Sequence, residues 1–324
     1  MRSFTQVRLL SLVSVLTAIG IITVVLLQGH SSAAEGHATM AKVKTSPSGS
    51  SAPTPAKATA KATTSPSASA SAGPPASPSA SPSVAATAAP DAALLAAAAQ
   101  ANGAVSVAVT DLSTGQSLEY GAPGHGFATA SIVKVDILST LLLQAQDQHT
   151  TLTQSQESLA TTMIENSDND SATALWNDIG QQSGLNAANQ RFGLTSTTGG
   201  TEGNWGLTST TSADQLRLLR QVFTSDSLLS SRSRDYIQGL LNQVESDQRW
   251  GVSAAASGSD YAVKNGWLPR SATGLWVINS IGRVERNGQE LLIAVVSDGN
   301  LSESDGISLV QSVAQAAAGS LSAG

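Results

Sequence analysis

Nine of the eleven prolines fall between Pro47 and Pro90, and every aromatic residue except Phe4 falls between Tyr120 and Trp276. A folded core needs large apolar side chains and a backbone free to pair, so only the stretch from Asp91 onward is equipped to build one. From about Ser46 to Pro90 the chain is nearly all Ala, Ser, Pro, Thr and Gly. Burial in such a segment is too small to offset the entropy of ordering it, and residues 28–90 are expected to form a disordered linker. If partly polyproline-like, its ~45 most biased residues would reach at most ~140 Å, enough for a tether across a cell wall. The rest, 91–324, is roughly 230 residues, a size that supports a single domain with a sizeable core.

Arg2 and Arg8 precede an apolar run from Leu9 to Leu27. About 19 residues nearly span a hydrocarbon core as a helix, and positive charge ahead of them keeps 1–8 in the cytoplasm. Residues 9–27 therefore read as a single-pass membrane anchor. The alternative is a cleaved signal peptide, with Ser32-Ala33-Ala34 as a small-residue cleavage site and a secreted product. Either way the 91–324 domain is expected outside the cytoplasm.

Up to Pro90 there are six basic residues and one acid; the remainder carries 11 basic and 22 acidic residues. An acidic domain argues against nucleic acid as a partner. The chain has no cysteine, which excludes disulfides, Cys-based zinc sites, a thiol nucleophile and a lipid anchor on cysteine. The domain's only histidines are His125 and His149, a poor basis for a metal centre or a histidine-based triad, so no metal or cofactor is expected. A monomer is expected.

The periodicity predicts a helix after Asp91 (Ala92–Gln100), then a hairpin of Val105–Leu112 and Ser117–Tyr120 around Ser113-Thr114-Gly115. Ser131 opens an apolar helix through Leu143. Helices follow at Ser155–Glu165 and Ser171–Ile179, then one with a capping box at Ser212-Ala213-Asp214-Gln215, then one from Ser231 through Leu241. Strands are predicted at Tyr261–Lys264, Leu275–Ser280 and Glu290–Ser297, with Asn287-Gly288 as a hairpin turn, and a last helix at Ile307–Ala317. The early and late strands can join one antiparallel sheet with the terminal helices packed on a face, and the middle helices form a second lobe. The fold class is α+β, with a cleft between lobes as the natural site.

From Asp91 onward there are only two lysines. Lys134 closes Ser131-Ile132-Val133-Lys134; Lys264 opens Lys264-Asn265-Gly266; Ser167-Asp168-Asn169 lies between them. At i,i+3 on a helix, Ser131 and Lys134 share a face. A serine hydroxyl is a poor nucleophile until a base takes its proton, and a lysine can do so if neutral. Burial and the charge of Lys264 would both lower the pKa of Lys134. The helix N-terminus also offers a backbone N–H to a developing oxyanion.

These motifs in this order resemble the class A β-lactamases and their penicillin-binding relatives. Val105–Gly115, Ala130–Val135 and Arg249-Trp250-Gly251-Val252 are similar as well. The resemblance implies that Ser131, Lys134, Ser167 and Lys264 are catalytic. Ser131 would be acylated, Ser167 would pass a proton to the leaving group, and Lys264 would support that path and attract a substrate carboxylate. Asn169, Asn265, Gly266 and Trp267 would bind substrate, with the Trp267 N–H as second oxyanion donor. The implied ligand is a β-lactam or a D-Ala-D-Ala-like peptidoglycan peptide, with the cell membrane as the other partner.

The sequence departs from the family in two places that bear on turnover. The Glu-x-x-Leu-Asn pattern whose glutamate activates the deacylating water is missing, with Glu202 in the approximate region. Asn265 stands where the family carries a hydroxyl that contacts the substrate carboxylate, and Arg270 or Arg283 are possible substitutes. An acylated but slowly released binding or sensing module, or an esterase or peptidase, therefore stands beside the hydrolase reading.

Overall fold

A computed structural model of the chain describes residues 87–322. The expected anchor or signal segment and almost all of the linker lie outside the described residues. Among those described, no helix is long and apolar enough to cross a membrane.

The first helix of the described residues is α1 (Ala92–Ala98), whose N-cap Asp91 accepts from the Leu94 N–H at 2.8 Å, as the capping preference requires. Strands β1 (Val105–Asp111) and β2 (Ser117–Gly121) form the first hairpin, and a short β3 (Phe127–Ala128) follows. A block of helices comes next: α2 (Val133–Asp147), α3 (Gln154–Glu165), α4 (Asn169–Asp178) and α5 (Gln181–Phe192). A short β4 (Ser209–Thr210) pairs with β3, and helices α6 (Ser212–Phe223) and α7 (Ser231–Asn242) close the block. Strands β5 (Tyr261–Pro269), β6 (Trp276–Arg286) and β7 (Gln289–Asn300) and helix α8 (Glu303–Ser322) complete the fold.

The main sheet is antiparallel, in the order β2-β1-β7-β6-β5. Strand alternation splits the apolar residues between its faces. Val105, Val107, Val109, Leu291, Ile293 and Val295 face α1 and α8. Ala108, Leu292, Ala294 and Val296, their neighbours in sequence, face the helical lobe. The two-lobed arrangement expected from the sequence is the one observed, and β5 is left as an edge strand beside the lobe.

Several boundaries differ. Each of the last three strands runs past its expected end, β5 to Pro269, β6 to Arg286 and β7 to Asn300. The α6 cap is Thr211, one residue before the expected box, accepting from Asp214 N at 3.2 Å. Helix α5 was not expected, since Gly184, Asn186 and Asn189 are poor helix formers. Burial of Leu185, Ala188 and Phe192 overrides that propensity. Gly184 is required there, because a Cβ would sit 1.7 Å from the Ile179 carbonyl oxygen.

Inside α2 a carboxylate is buried without a cation. Asp136 is 1% exposed; its Oδ2 accepts from Asn189 Nδ2 at 2.9 Å and its Oδ1 has no hydrogen-bond partner. Burial, partly offset by the Asn189 bond and reinforced by the Asp214 charge, raises its pKa to about 7. A carboxyl whose folded pKa lies above its unfolded one makes the fold lose stability as pH rises from about 4 to about 7. Asp136→Asn is expected to remove that slope, stabilising the fold at pH 8 by on the order of 3 kcal/mol and little at pH 4. Denaturant unfolding of both proteins across that range checks this; parallel pH curves would refute it.

Candidate active site

The turn that carries Ser131 is held from three sides. Ala130 adopts φ 47°, in the left-handed region, so the chain bends sharply just before the serine. Asn279 of β6, fully buried, donates through Nδ2 to the carbonyls of Ala128 (2.8 Å) and Thr129 (2.9 Å). The Thr129 N–H bonds the Thr208 carbonyl at 2.9 Å. Ser131 itself lies in a single 3-10 turn, Ala130–Ile132, and α2 proper starts at Val133. The sequence had placed Ser131 as the first residue of the α-helix. The tighter turn leaves the serine half-buried at the cleft while Lys134 sits in the first α-helical turn.

Gly266 of edge strand β5 lies against that turn. A Cβ there would be 2.7 Å from Ser131 N, 2.8 Å from Thr129 O and 2.9 Å from Ile132 N. Only glycine lets the strand edge approach so closely.

Both lysines are fully buried and meet at one hydroxyl. Lys134 Nζ donates to Ser167 Oγ at 3.1 Å, to Asn169 Oδ1 at 2.9 Å and to the Ser167 carbonyl at 2.5 Å. Lys264 Nζ donates to the same Ser167 Oγ at 3.0 Å and to the Asn265 carbonyl at 3.1 Å. With both lone pairs of Ser167 Oγ occupied by N–H donors, its own hydrogen is free to be donated onward. Burial pushes Lys134 down to about 7, against the opposing pull of the Asp168 carboxylate. Burial, and then the Lys134 charge, push Lys264 well below the usual lysine range. Two adjacent buried amines cannot both hold a proton cheaply.

Ser167 has φ 56°, a strained conformation for a residue with a Cβ. Asp168 sustains it by capping α4, its Oδ1 accepting from Ser171 N at 2.7 Å. The loop 167–169 is thus held by Asp168, while its two neighbours face the lysines.

Other residues fall differently from their expected roles. Asn265 is fully buried, and its amide donates to the carbonyls of Gln248 (2.7 Å) and Trp250 (2.9 Å). Its side chain clamps the preceding loop onto β5 and does not line the cleft. Arg283 pairs with Asp260 (2.5 Å) and Glu290 (3.6 Å), and Arg270 is exposed along a separate depression with Ala272 and Thr273. Neither reaches the serine. Glu202 is exposed on left-handed backbone (φ 53°), outside the cleft wall that its neighbours Gly203 and Asn204 help to form.

The cleft has a volume of about 300 Å³. Ser131 and Asn169 lie on its floor, and Trp205, Leu207, Trp267 and Leu268 are among its walls. Trp205 went unnoticed in the sequence; its ring centroid stands 5.0 Å from Lys134 Nζ, and its Nε1 donates to Thr173 Oγ1 at 3.1 Å. Asn279 was also missed, because a lone asparagine in an apolar strand carries no local signal of what it holds.

The model of the β-lactamase enzyme family matches residues 155–321, just over half of the chain. The chain belongs to the β-lactamase enzyme family. The matched span takes in Ser167 and Lys264 and starts after Lys134. Among curated proteins, LppW of Mycobacterium tuberculosis and of Mycobacterium bovis, named as lipoproteins, are 29% identical over 177 residues, covering 53% of this chain and 56% of theirs. The aligned part of the chain thus spans about half the length of those relatives. A mutant of PBP-A, solved as an acyl-enzyme complex with penicillin G, superposes with a TM-score of 0.60 at 21% identity, over 71% of this chain and 95% of that one. A β-lactamase from Chitinophaga pinensis gives 0.61 at 19% identity, over 69% and 96%. At such identities the likeness establishes the fold, a β-lactamase-like serine hydrolase fold, and not the substrate.

Proposed function

We propose that this family member is an exported active-site serine acyl-hydrolase, whose Ser131 takes the acyl group of a β-lactam or a D-Ala-D-Ala-like amide. The observation that carries this reading is the convergence of two buried lysine amines on the Ser167 hydroxyl, beneath the turn that presents Ser131. Loss of one proton leaves Lys134 a lone pair for the Ser131 hydroxyl hydrogen, one helical turn away. The Ser131 Oγ–carbonyl bond forms, and the N–H groups of Ser131 and Trp267 take the oxyanion charge. The scissile C–N bond then breaks as Ser167 passes its proton to the leaving nitrogen and regains one from the lysine pair. Asn169 would hold the substrate amide, and Gly266 would admit the acyl chain along the β5 edge.

A second reading has its own support. No carboxylate lines the cleft, and the Trp205 ring stands over Lys134. The acyl-enzyme would then persist, and the protein would act as a binding or sensing module. Export is supported by the apolar 9–27 segment behind two arginines and by relatives named as lipoproteins.

Intact-mass measurement on the full chain with penicillin G tests both readings. We expect an adduct of one acyl group on the parent and none on Ser131→Ala; persistence for hours would favour the binding reading. An adduct lost within seconds, with the drug hydrolysed, would favour turnover over the binding reading. An adduct that survives the Ser131→Ala change would overturn the assignment of the nucleophile.

A further inference from the structure

The walls of the Ser131 cleft carry no charged side chain: Ser131, Asn169 and Asn204 supply the polar groups, and Trp205, Leu207, Trp267 and Leu268 the apolar surface. Each group expected to hold a substrate carboxylate is engaged elsewhere. The Asn265 amide spends both hydrogens on the carbonyls of Gln248 and Trp250. Arg283 is bound by Asp260 and Glu290, and Arg270 lies along another depression. Lys264, fully buried, donates to Ser167 Oγ and the Asn265 carbonyl. A carboxylate entering this cleft would give up hydration without gaining a cation or a fork of donors. An apolar group in the same place would cover Trp205, Leu207 and Leu268 and gain from leaving water.

Resting on the assignment of Ser131 as the acylated residue, and narrowing the donors proposed for it above to their neutral forms and analogues, we infer that the site favours neutral acyl donors, esters or amides with an apolar leaving portion and no carboxylate beside the scissile bond. With an ester, the Ser131 Oγ–acyl bond forms, the donor's C–O bond breaks, and the leaving oxygen takes the proton passed by Ser167. Water or a second alcohol then accepts the acyl group. The buried lysines serve this chemistry as proton carriers, and both amines are already engaged by Ser167, Asn169 and the Asn265 carbonyl.

The test compares penicillin G with its methyl ester, the same acyl donor with the carboxylate blocked, by the rate of Ser131 adduct formation on the full chain. A fluorophosphonate reagent reports separately on the reactivity of Ser131, with Ser131→Ala as background. The methyl ester is expected to react at least about 10-fold faster. Leu268→Arg, which places a guanidinium on the wall and removes apolar surface from it, is expected to bring the two rates together by raising the penicillin G rate and lowering that of the methyl ester. Equal rates on the parent, or faster reaction of penicillin G, would overturn the inference. So would the absence of adduct from both forms while the fluorophosphonate still labels Ser131, since the cleft would then refuse the neutral donor it is argued to prefer. A Ser131 that the fluorophosphonate does not label would instead remove the nucleophile assignment, and with it this inference.

Discussion

Lys134→Met is expected to slow acylation of Ser131 by about 10³-fold, within the range that a positioned general base contributes. The fold should survive the change. Lys134 is fully buried, and a buried amine costs solvation that an apolar side chain of similar length does not. The loss of its hydrogen bonds to Ser167 and Asn169 opposes that gain, so the variant should melt within a few degrees of the parent, which separates a lost base from a damaged structure. The pH dependence carries the same signature. Lys134 acts in its neutral form, and burial sets its pKa at about 7, so the parent's acylation rate should rise with pH and level off above that value. In Lys134→Met the rise should vanish. Single-turnover acylation followed by mass between pH 5 and pH 9 measures both effects. A rate loss under 10-fold, or an unchanged profile, would mean that another group takes the serine proton.

Gly266→Ala tests how the site is assembled. The added methyl group would lie 2.7 Å from Ser131 N, with Thr129 O and Ile132 N also within 2.9 Å. These are backbone atoms, held by Asn279 and by the β3–β4 pairing, so they cannot swing aside as a flexible side chain would. Either β5 or the Ser131 turn must move. Overpacking of this kind costs about 1–3 kcal/mol, and a displacement of about 1 Å at the reacting atoms can cost about 10²-fold in rate. We expect both losses together in acylation kinetics and thermal unfolding. The control is Gly288→Ala at the β6–β7 turn, where a Cβ meets open space. Its positive φ of 81° makes the control strained too, so it should lose stability but keep its acylation rate. If Gly266→Ala acylates normally, the close approach of β5 has no part in positioning Ser131.

Parts of this protein could be read along the chain because the physics there is local. The Ser131–Lys134 spacing is a property of one helical turn, and the cap at Asp91 is a bond between residues three apart. The alternation in β1 and β7 states which residues share a face before any partner is known. Helix α5 is the counterexample within the fold, since its glycine and asparagines argue against a helix that packing then imposes.

The site divides along the same line. The four side chains proposed to react could be named from motif order, because each motif is three or four residues long and carries its own chemistry. Their convergence could not. Ser167 and Lys264 are 97 residues apart and meet only because β5 closes the sheet edge beside the α3–α4 loop. Trp205 reaches Lys134 from a loop with no helical or strand period to announce it. Asn265 is the sharpest case. Its place between lysine and glycine marks it as a substrate contact, whereas the side chain turns inward to bind two carbonyls of the loop before β5. Residue identity and short-range spacing settle which groups can react. Which of them face one another, and which are spent holding the scaffold, depends on strand parity, edge position and contacts between distant segments, which exist only once the chain is folded.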